Sequence, residues 1–230
     1  MTDDELKALL GERIAAVEAR VTAACQRAGR PRDAVAIVAI TKTVSVRVAG
    51  LLPELGLPDL GENRPQELWK KAAAIPGATW HFTGHLQRNK IEQTLPLISM
   101  MHTLDSFRLA KSIDSFNASI PILLELNCSR ESAKGGFAPE ELRVIGDTLV
   151  PLEGLLITGL MTMAAHSDDP DMSRSTFVEL RELRDRLESF MQRELPHLSM
   201  GMSNDFEIAI EEGATHIRLG TVLFEGLEGV

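Results

Sequence analysis

Lys42 closes an apolar run, and that position makes it the residue of this chain best placed to act as a nucleophile. The run Val35-Ala36-Ile37-Val38-Ala39-Ile40 carries no charge and is rich in β-branched residues, the pattern of a strand covered on both faces. Thr41-Lys42-Thr43 stands at its carboxyl end. An amine desolvated at a strand mouth has its pKa lowered and its neutral form brought within reach, which a Schiff-base lysine requires. The plainer alternative is a lysine that snorkels into water from the strand end. Late in the chain, Ser203 follows Gly201-Met202 and precedes a helical run from Phe206 to Ile210. A helix starting there presents free N–H groups and a positive dipole end, an anion site. Gly220-Thr221 offers a second loop where backbone approaches closely and a hydroxyl donates. Ser203 as a plain helix N-cap is the competing reading.

Arg218 precedes that glycine inside the apolar strand Ile217-Arg218-Leu219. A guanidinium donates but does not accept protons, so facing a pyridine nitrogen it would leave that nitrogen unprotonated. A salt bridge to a carboxylate such as Glu62 is the alternative. His81 and His85 have the i, i+4 spacing of a metal pair, but Gly84 and the strand-like Trp80-His81-Phe82 argue against the helix such a pair needs. No metal site is expected, and His81 reads as a packed or hydrogen-bonding histidine.

These residues need a frame that gathers them. Residues 3–29 read as an amphipathic helix, with Leu6, Leu10, Val17 and Val21 on one stripe and Gly29 as its stop. An alternation follows. Strands are predicted at 35–41, 58–61, 79–84, 98–104, 121–127, 154–160, 197–201 and 215–219. Helices are predicted near 45–55, 64–75, 88–95, 106–117, 139–149, 171–194 and 203–212. Eight strands alternating with helices argue for a parallel sheet, and eight is the number that closes a barrel. The expected fold is a single (β/α)8 TIM-type barrel over residues 1–230, with residues 1–30 an extra N-terminal helix packed on it. An open doubly wound sheet is the runner-up. In a barrel, chemistry belongs after the strands. Lys42, Asn63, Lys134, Ser203 and Gly220-Thr221 all fall there.

The 230 residues, at 44% hydrophobic and 25% charged, suit one large soluble domain, and a net charge of −9 argues against a nucleic-acid or anionic-membrane partner. Cys25 and Cys128 fit neither a disulfide framework nor a metal spacing and suit a reducing compartment, with a cytoplasmic location expected. The acidic start has no signal-peptide h-region, and no stretch reaches membrane-spanning length.

Taken together, several segments in this order resemble the pyridoxal-phosphate-binding homeostasis proteins, the family similar to the N-terminal domain of alanine racemase. They are Ala39-Ile40-Thr41-Lys42-Thr43, Gly61-Glu62-Asn63, Trp80-His81-Phe82-Thr83-Gly84-His85-Leu86-Gln87-Arg88-Asn89-Lys90, Leu198-Ser199-Met200-Gly201-Met202-Ser203-Asn204-Asp205 and Ile217-Arg218-Leu219-Gly220-Thr221. The resemblance implies a barrel with pyridoxal 5'-phosphate at its mouth, Lys42 as the Schiff-base lysine, Ser203, Gly220 and Thr221 on the phosphate, Arg218 at the pyridine nitrogen, and Asn63 and His81 near the ring. It also implies departures. Val44 stands where a second lysine is usual, Arg64 where a tyrosine is, His85 where a proline is, and Ala133-Lys134-Gly135-Gly136 where Ser-Lys-Ser-Gly is. The basic C-terminal tail of many members is also missing from this sequence.

Two functions compete on this reading. One is a monomeric carrier that keeps pyridoxal phosphate in balance, with apo-enzymes and free amino acids as further partners. The other is a pyridoxal-phosphate-dependent racemase or related enzyme on small amino acids. The related racemases use an opposed lysine and tyrosine, the tyrosine coming from a C-terminal β domain. This chain contains no tyrosine, so a Lys/Tyr two-base racemase is excluded and the carrier is expected.

Overall fold

In the computed structural model, which describes residues 1–117, 119–131, 134–165 and 170–229, the strands close on themselves. They are β1 (Ala36–Ile40), β2 (Asp59–Glu62), β3 (Thr79–Phe82), β4 (Met100–Leu104), β5 (Ile122–Glu125), β6 (Ile157–Met161), β7 (His197–Ser199) and β8 (His216–Leu219). Each pairs in parallel with the next, and β8 returns to β1, with Val38 opposite Arg218. The closed alternative thus prevails over the open sheet, and a closed parallel barrel leaves no strand edge unpaired.

The connecting helices are α2 (Val46–Gly50), α3 (Pro65–Ala74), α4 (Ile91–Thr94), α5 (Phe107–Asp114), α6 (Leu142–Leu149), α7 (Pro170–Met191), α8 (Phe206–Glu211) and α9 (Thr221–Phe224), preceded by α1 (Asp3–Arg27). Thr2 and Glu5 form a capping box that starts α1. That helix lies against α8 and α9, and Arg13 donates to the Leu223 carbonyl at the end of the chain.

Where the elements differ from expectation, a backbone residue is responsible. The helix expected at 88–95 is one α turn between two 3-10 turns, with Pro96 in the second. Pro53 converts the end of the 45–55 helix to a 3-10 turn. The sixth strand starts at Ile157 because Gly154 is held in a turn by the Asp114 carboxylate, 2.8 Å from its N–H.

Two cores result. The larger fills the layer between strands and helices, including Phe82, Phe177, Phe206 and Phe224. The smaller, Met100, Leu123 and Met161, lies inside the barrel. Polar side chains share that interior: His81, His102, Ser199, His216 and Arg218 are all at most 8% exposed. A barrel interior is usually stacked with branched aliphatic residues, so this polar column calls for hydrogen-bond partners, and it has them.

Candidate cofactor site at the carboxyl ends of the strands

A cavity of about 980 Å³ opens at the carboxyl ends of the strands. Lys42, Asn63, Ser203, Arg218, Gly220 and Thr221 all line it, so six of the seven residues singled out from sequence are brought together. His81 is not among them. If the extended chain of β3 runs on one residue past Phe82, period-two alternation puts residue 83 on the same face as 81, about 6.6 Å further along. Thr83 lines the cavity, while His81 sits one layer deeper, bonded to His102 and Asp59. His81 thus does not line the cavity and is the hydrogen-bonded histidine that the sequence also allows. Its supposed metal partner, His85, points elsewhere, exposed and bonded through Nδ1 to Asp105.

The Lys42 end is fixed from below. Lys71 of α3 is 2% exposed, and its Nζ donates to the Thr41 carbonyl at 2.6 Å and to Glu62 Oε1 at 2.5 Å. Glu62 Oε2 accepts from the Asn63 N–H at 3.1 Å. One ammonium and one carboxylate thus pin the residues just before Lys42 and Asn63. Arg64 adds a bond from NH2 to the Lys42 carbonyl. Lys42 itself is exposed at the cavity rim. It stands two residues past the end of β1 at Ile40, beyond the covered part of the strand. Val44 is buried in the layer outside the strands.

Gly84 lets β3 close onto this corner: a Cβ there would lie 2.0 Å from the Asn63 carbonyl oxygen. Across the mouth, the loops after β7 and β8 are tied by the Val222 N–H donating to Ser203 Oγ at 3.2 Å. Ser203 is therefore not the helix N-cap. The helix starts three residues later, at Phe206, because Gly201, at φ +91°, turns the chain tightly over Ala209 first.

Arg218 is 5% exposed, and its partners are Ser199 Oγ, 2.7 Å from NH1, and the Thr162 carbonyl, 2.9 Å from NH2. It does not pair with Glu62, which Lys71 already holds. Burial lowers its pKa to about 10, opposed by the charges of Asp205 and Glu125, so the guanidinium stays charged at neutral pH.

Sequence reasoning missed the acidic wall. Glu125, at the end of β5, is 7% exposed and lines the cavity; burial first, then Asp105, push its pKa up to about 7. A lone charge inside Ile122-Leu123-Leu124-Glu125-Leu126 was the available signal. Lys134 donates to the Ala164 carbonyl and pairs with Glu131; Ala133 lies outside the described residues. Cys128, just past β5, is buried, and burial raises its thiol to about 12.

The donor set suits a phosphorylated aromatic aldehyde. It offers an amine at the rim, two loops carrying hydroxyls and close backbone, a fixed cation and the Asn63 amide. Asn63 Oδ1 is buried without a hydrogen-bond partner, an acceptor that a bound group would satisfy.

The family model "Alanine racemase, N-terminal domain" matches residues 13–227. A pyridoxal phosphate homeostasis protein of Aquifex aeolicus is 41% identical over 93% of this chain and 96% of its own length. One from Pseudomonas aeruginosa is 35% identical over 94% of both chains. The chain belongs to the pyridoxal phosphate homeostasis protein family. PipY of Synechococcus elongatus, solved with PLP bound, superposes with a TM-score of 0.80 at 30% identity, covering 94% of this chain and 99% of that one. An alanine racemase of Clostridium difficile shares the fold, with a TM-score of 0.76 at 16% identity, and this chain spans 56% of its length.

Two outcomes follow from this geometry. Lys71→Met leaves the Glu62 carboxylate buried and unpaired and should cost about 3–5 kcal/mol in urea unfolding, while adding Glu62→Leu should recover most of the loss. For Glu125, the folded pKa of about 7 lies above the ordinary 4.5, so the native state retains a proton that the unfolded chain loses. Stability contributed by that proton is present below pH 4.5 and is lost as pH rises through 7. Glu125→Gln should match the unmodified protein at pH 4.5 and exceed it at pH 8 by on the order of 3 kcal/mol in the same assay.

Proposed function

We propose that this protein binds pyridoxal 5'-phosphate and serves its intracellular balance, holding the cofactor rather than turning over substrates with it. The single observation that carries this is the convergence of Lys42, Asn63, Ser203, Arg218, Gly220 and Thr221 on one cavity in a chain of this family. Lys42 would be the residue that holds the cofactor covalently, through its side-chain amine at the cavity rim. The loops joined through Ser203 and Val222 supply N–H and hydroxyl donors for the phosphate, where a hydrogen bond to a charged group contributes about 1.5–3 kcal/mol. Bound there, the cofactor supplies an aldehyde and an electron-withdrawing ring.

The chain's own residues restrain the use of that ring. A guanidinium at Arg218 can donate a hydrogen bond to a pyridine nitrogen but keeps its own proton at neutral pH, so the nitrogen stays unprotonated and binding is favoured over carbanion chemistry. With no tyrosine in the chain, the second base of a Lys/Tyr racemase is missing. His81, the residue nearest that role by sequence position, does not line the cavity. The exposed Lys42 at an open rim supports exchange with free amino acids and delivery to apo-enzymes that need the cofactor. Two free, buried cysteines support a cytoplasmic setting. Among the described residues no helix is long and apolar enough to cross a membrane.

Borohydride reduction of the protein mixed with pyridoxal phosphate should fix the adduct on Lys42, located by peptide mass spectrometry, and Lys42→Ala should lose it. An adduct on Lys90 or Lys134 instead would move the site. Incubated with L-alanine in D₂O, the loaded protein should show little or no Cα–H exchange by NMR. Several turnovers per second, abolished by Lys42→Ala, would make it an enzyme.

A further inference from the structure

Four of the chain's six histidines, His81, His102, His197 and His216, crowd the amino-terminal half of the barrel interior, and nothing proposed so far uses them. Two of them join a continuous path. Asp59 Oδ1 lies 3.0 Å from His81 Nε2, His81 Nδ1 lies 3.0 Å from His102 Nε2, and His102 Nδ1 lies 2.8 Å from Ser199 Oγ. Ser199 Oγ in turn accepts from Arg218 NH1 at 2.7 Å. Asp59 is the first residue of β2 and 32% exposed in its side chain; the others are buried, and Arg218 reaches the cavity. The path therefore crosses the barrel from its amino-terminal face to the proposed cofactor site.

Counting protons gives the path a direction. An ionised Asp59 can only accept, so His81 must carry its proton on Nε2. In a neutral ring the other nitrogen, Nδ1, is then an acceptor, so His102 must donate from Nε2 and accept at Nδ1. Only the Ser199 hydroxyl can donate there, and its oxygen lone pairs are left for Arg218. A neutral His102 ring is what the surroundings favour. Burial, then neighbouring His81, His216 and Arg218, hold His102 well below the usual histidine pKa, and burial with His197 and His81 brings His216 to about 3.

We propose that Asp59, His81, His102 and Ser199 form a one-way hydrogen-bond chain that fixes the orientation of Arg218, making His81 and His102 positioning residues for the cofactor pocket. The link to the cofactor rests on the pocket assignment above; the proton order does not. Asp59 sets the sense of the whole chain, because a carboxylate that dictates one ring's tautomer dictates the next ring's too. The serine is set last, on β7, three strands away from the aspartate on β2 by the shorter way around the barrel.

The test is long-range ¹H–¹⁵N correlation NMR of the histidine rings in the full chain at pH 7.5, without added cofactor, which separates the two tautomers. His81 and His102 should both carry the proton on Nε2. In Asp59→Asn the amide can either accept from or donate to His81 Nε2, so both rings should lose their single tautomer and show a share of Nδ1–H. The affinity for pyridoxal phosphate, titrated by absorbance, should fall by roughly tenfold, the equivalent of one hydrogen bond to a charged group. In His102→Phe the affinity should fall similarly, and His102→Gln, which restores a donor and an acceptor, should recover part of it. Finding His102 protonated on Nδ1 in the unmodified protein, or unmoved by Asp59→Asn, would overturn the chain. Mixed tautomers with unchanged affinity would overturn the positioning role. If the unmodified protein failed to bind pyridoxal phosphate at all, the proposed function would fall, while the tautomers would still decide the chain.

Discussion

The Lys71 ammonium, buried between Thr41 and Glu62, is the interaction on which the site's geometry rests. Taking it out of water carries a penalty that only a short ion pair and a carbonyl contact offset. Those partners belong to the carboxyl ends of β1 and β2, and the lysine to α3. One buried charge therefore joins two neighbouring strands and the helix packed behind them. The residues that follow, Lys42 and Asn63, have their backbones positioned while their side chains remain free to meet a ligand. The rigidity is spent in the wall and the freedom is kept at the rim, as a rigid scaffold under a working loop requires.

Charge is distributed inside the cavity with similar economy. The chain as a whole is acidic, so an anionic ligand gains nothing from the overall field. Attraction has to come from local cations and aligned N–H groups. Arg218 supplies one such charge at depth, and the neighbouring Glu125 and Asp205, both with raised pKa values, temper it. A carboxyl group that is half protonated near neutrality accommodates a change in ligand charge by taking up or releasing a proton rather than by moving backbone.

How much of this was legible in the sequence divides along physical lines. The eight strands were legible because each is a short apolar run bounded by turn residues, and barrel closure followed from their number. The cavity residues were legible because they stand just past those runs. Helix starts near Gly201 and Pro96 were not, since a glycine at positive φ or a proline redirects the chain over two or three residues, finer than any periodic signal. The layer of His81 was not legible because neighbouring layers of a barrel share the same face of a strand, and only the depth of the cavity tells them apart. Lys71 was hidden for the opposite reason: on a helix, directly after Lys70, it reads as solvated, and its burial is decided by tertiary packing alone. The exposure of Lys42 is of the same kind.

Cys128 stands one residue past Asn127, beyond the strand that carries Glu125, and its thiol remains protonated up to about pH 12. Only a thiolate attacks aldehydes or peroxide at useful rates, so this sulfur is chemically silent under physiological conditions. Cys128 is also not among the residues that line the cavity, so an electrophile held there meets amines rather than this sulfur. A rise in cellular peroxide likewise finds no reactive thiolate there through which to disable the pocket. The depth at which one side chain is packed thus keeps this sulfur out of the chemistry at the barrel's mouth.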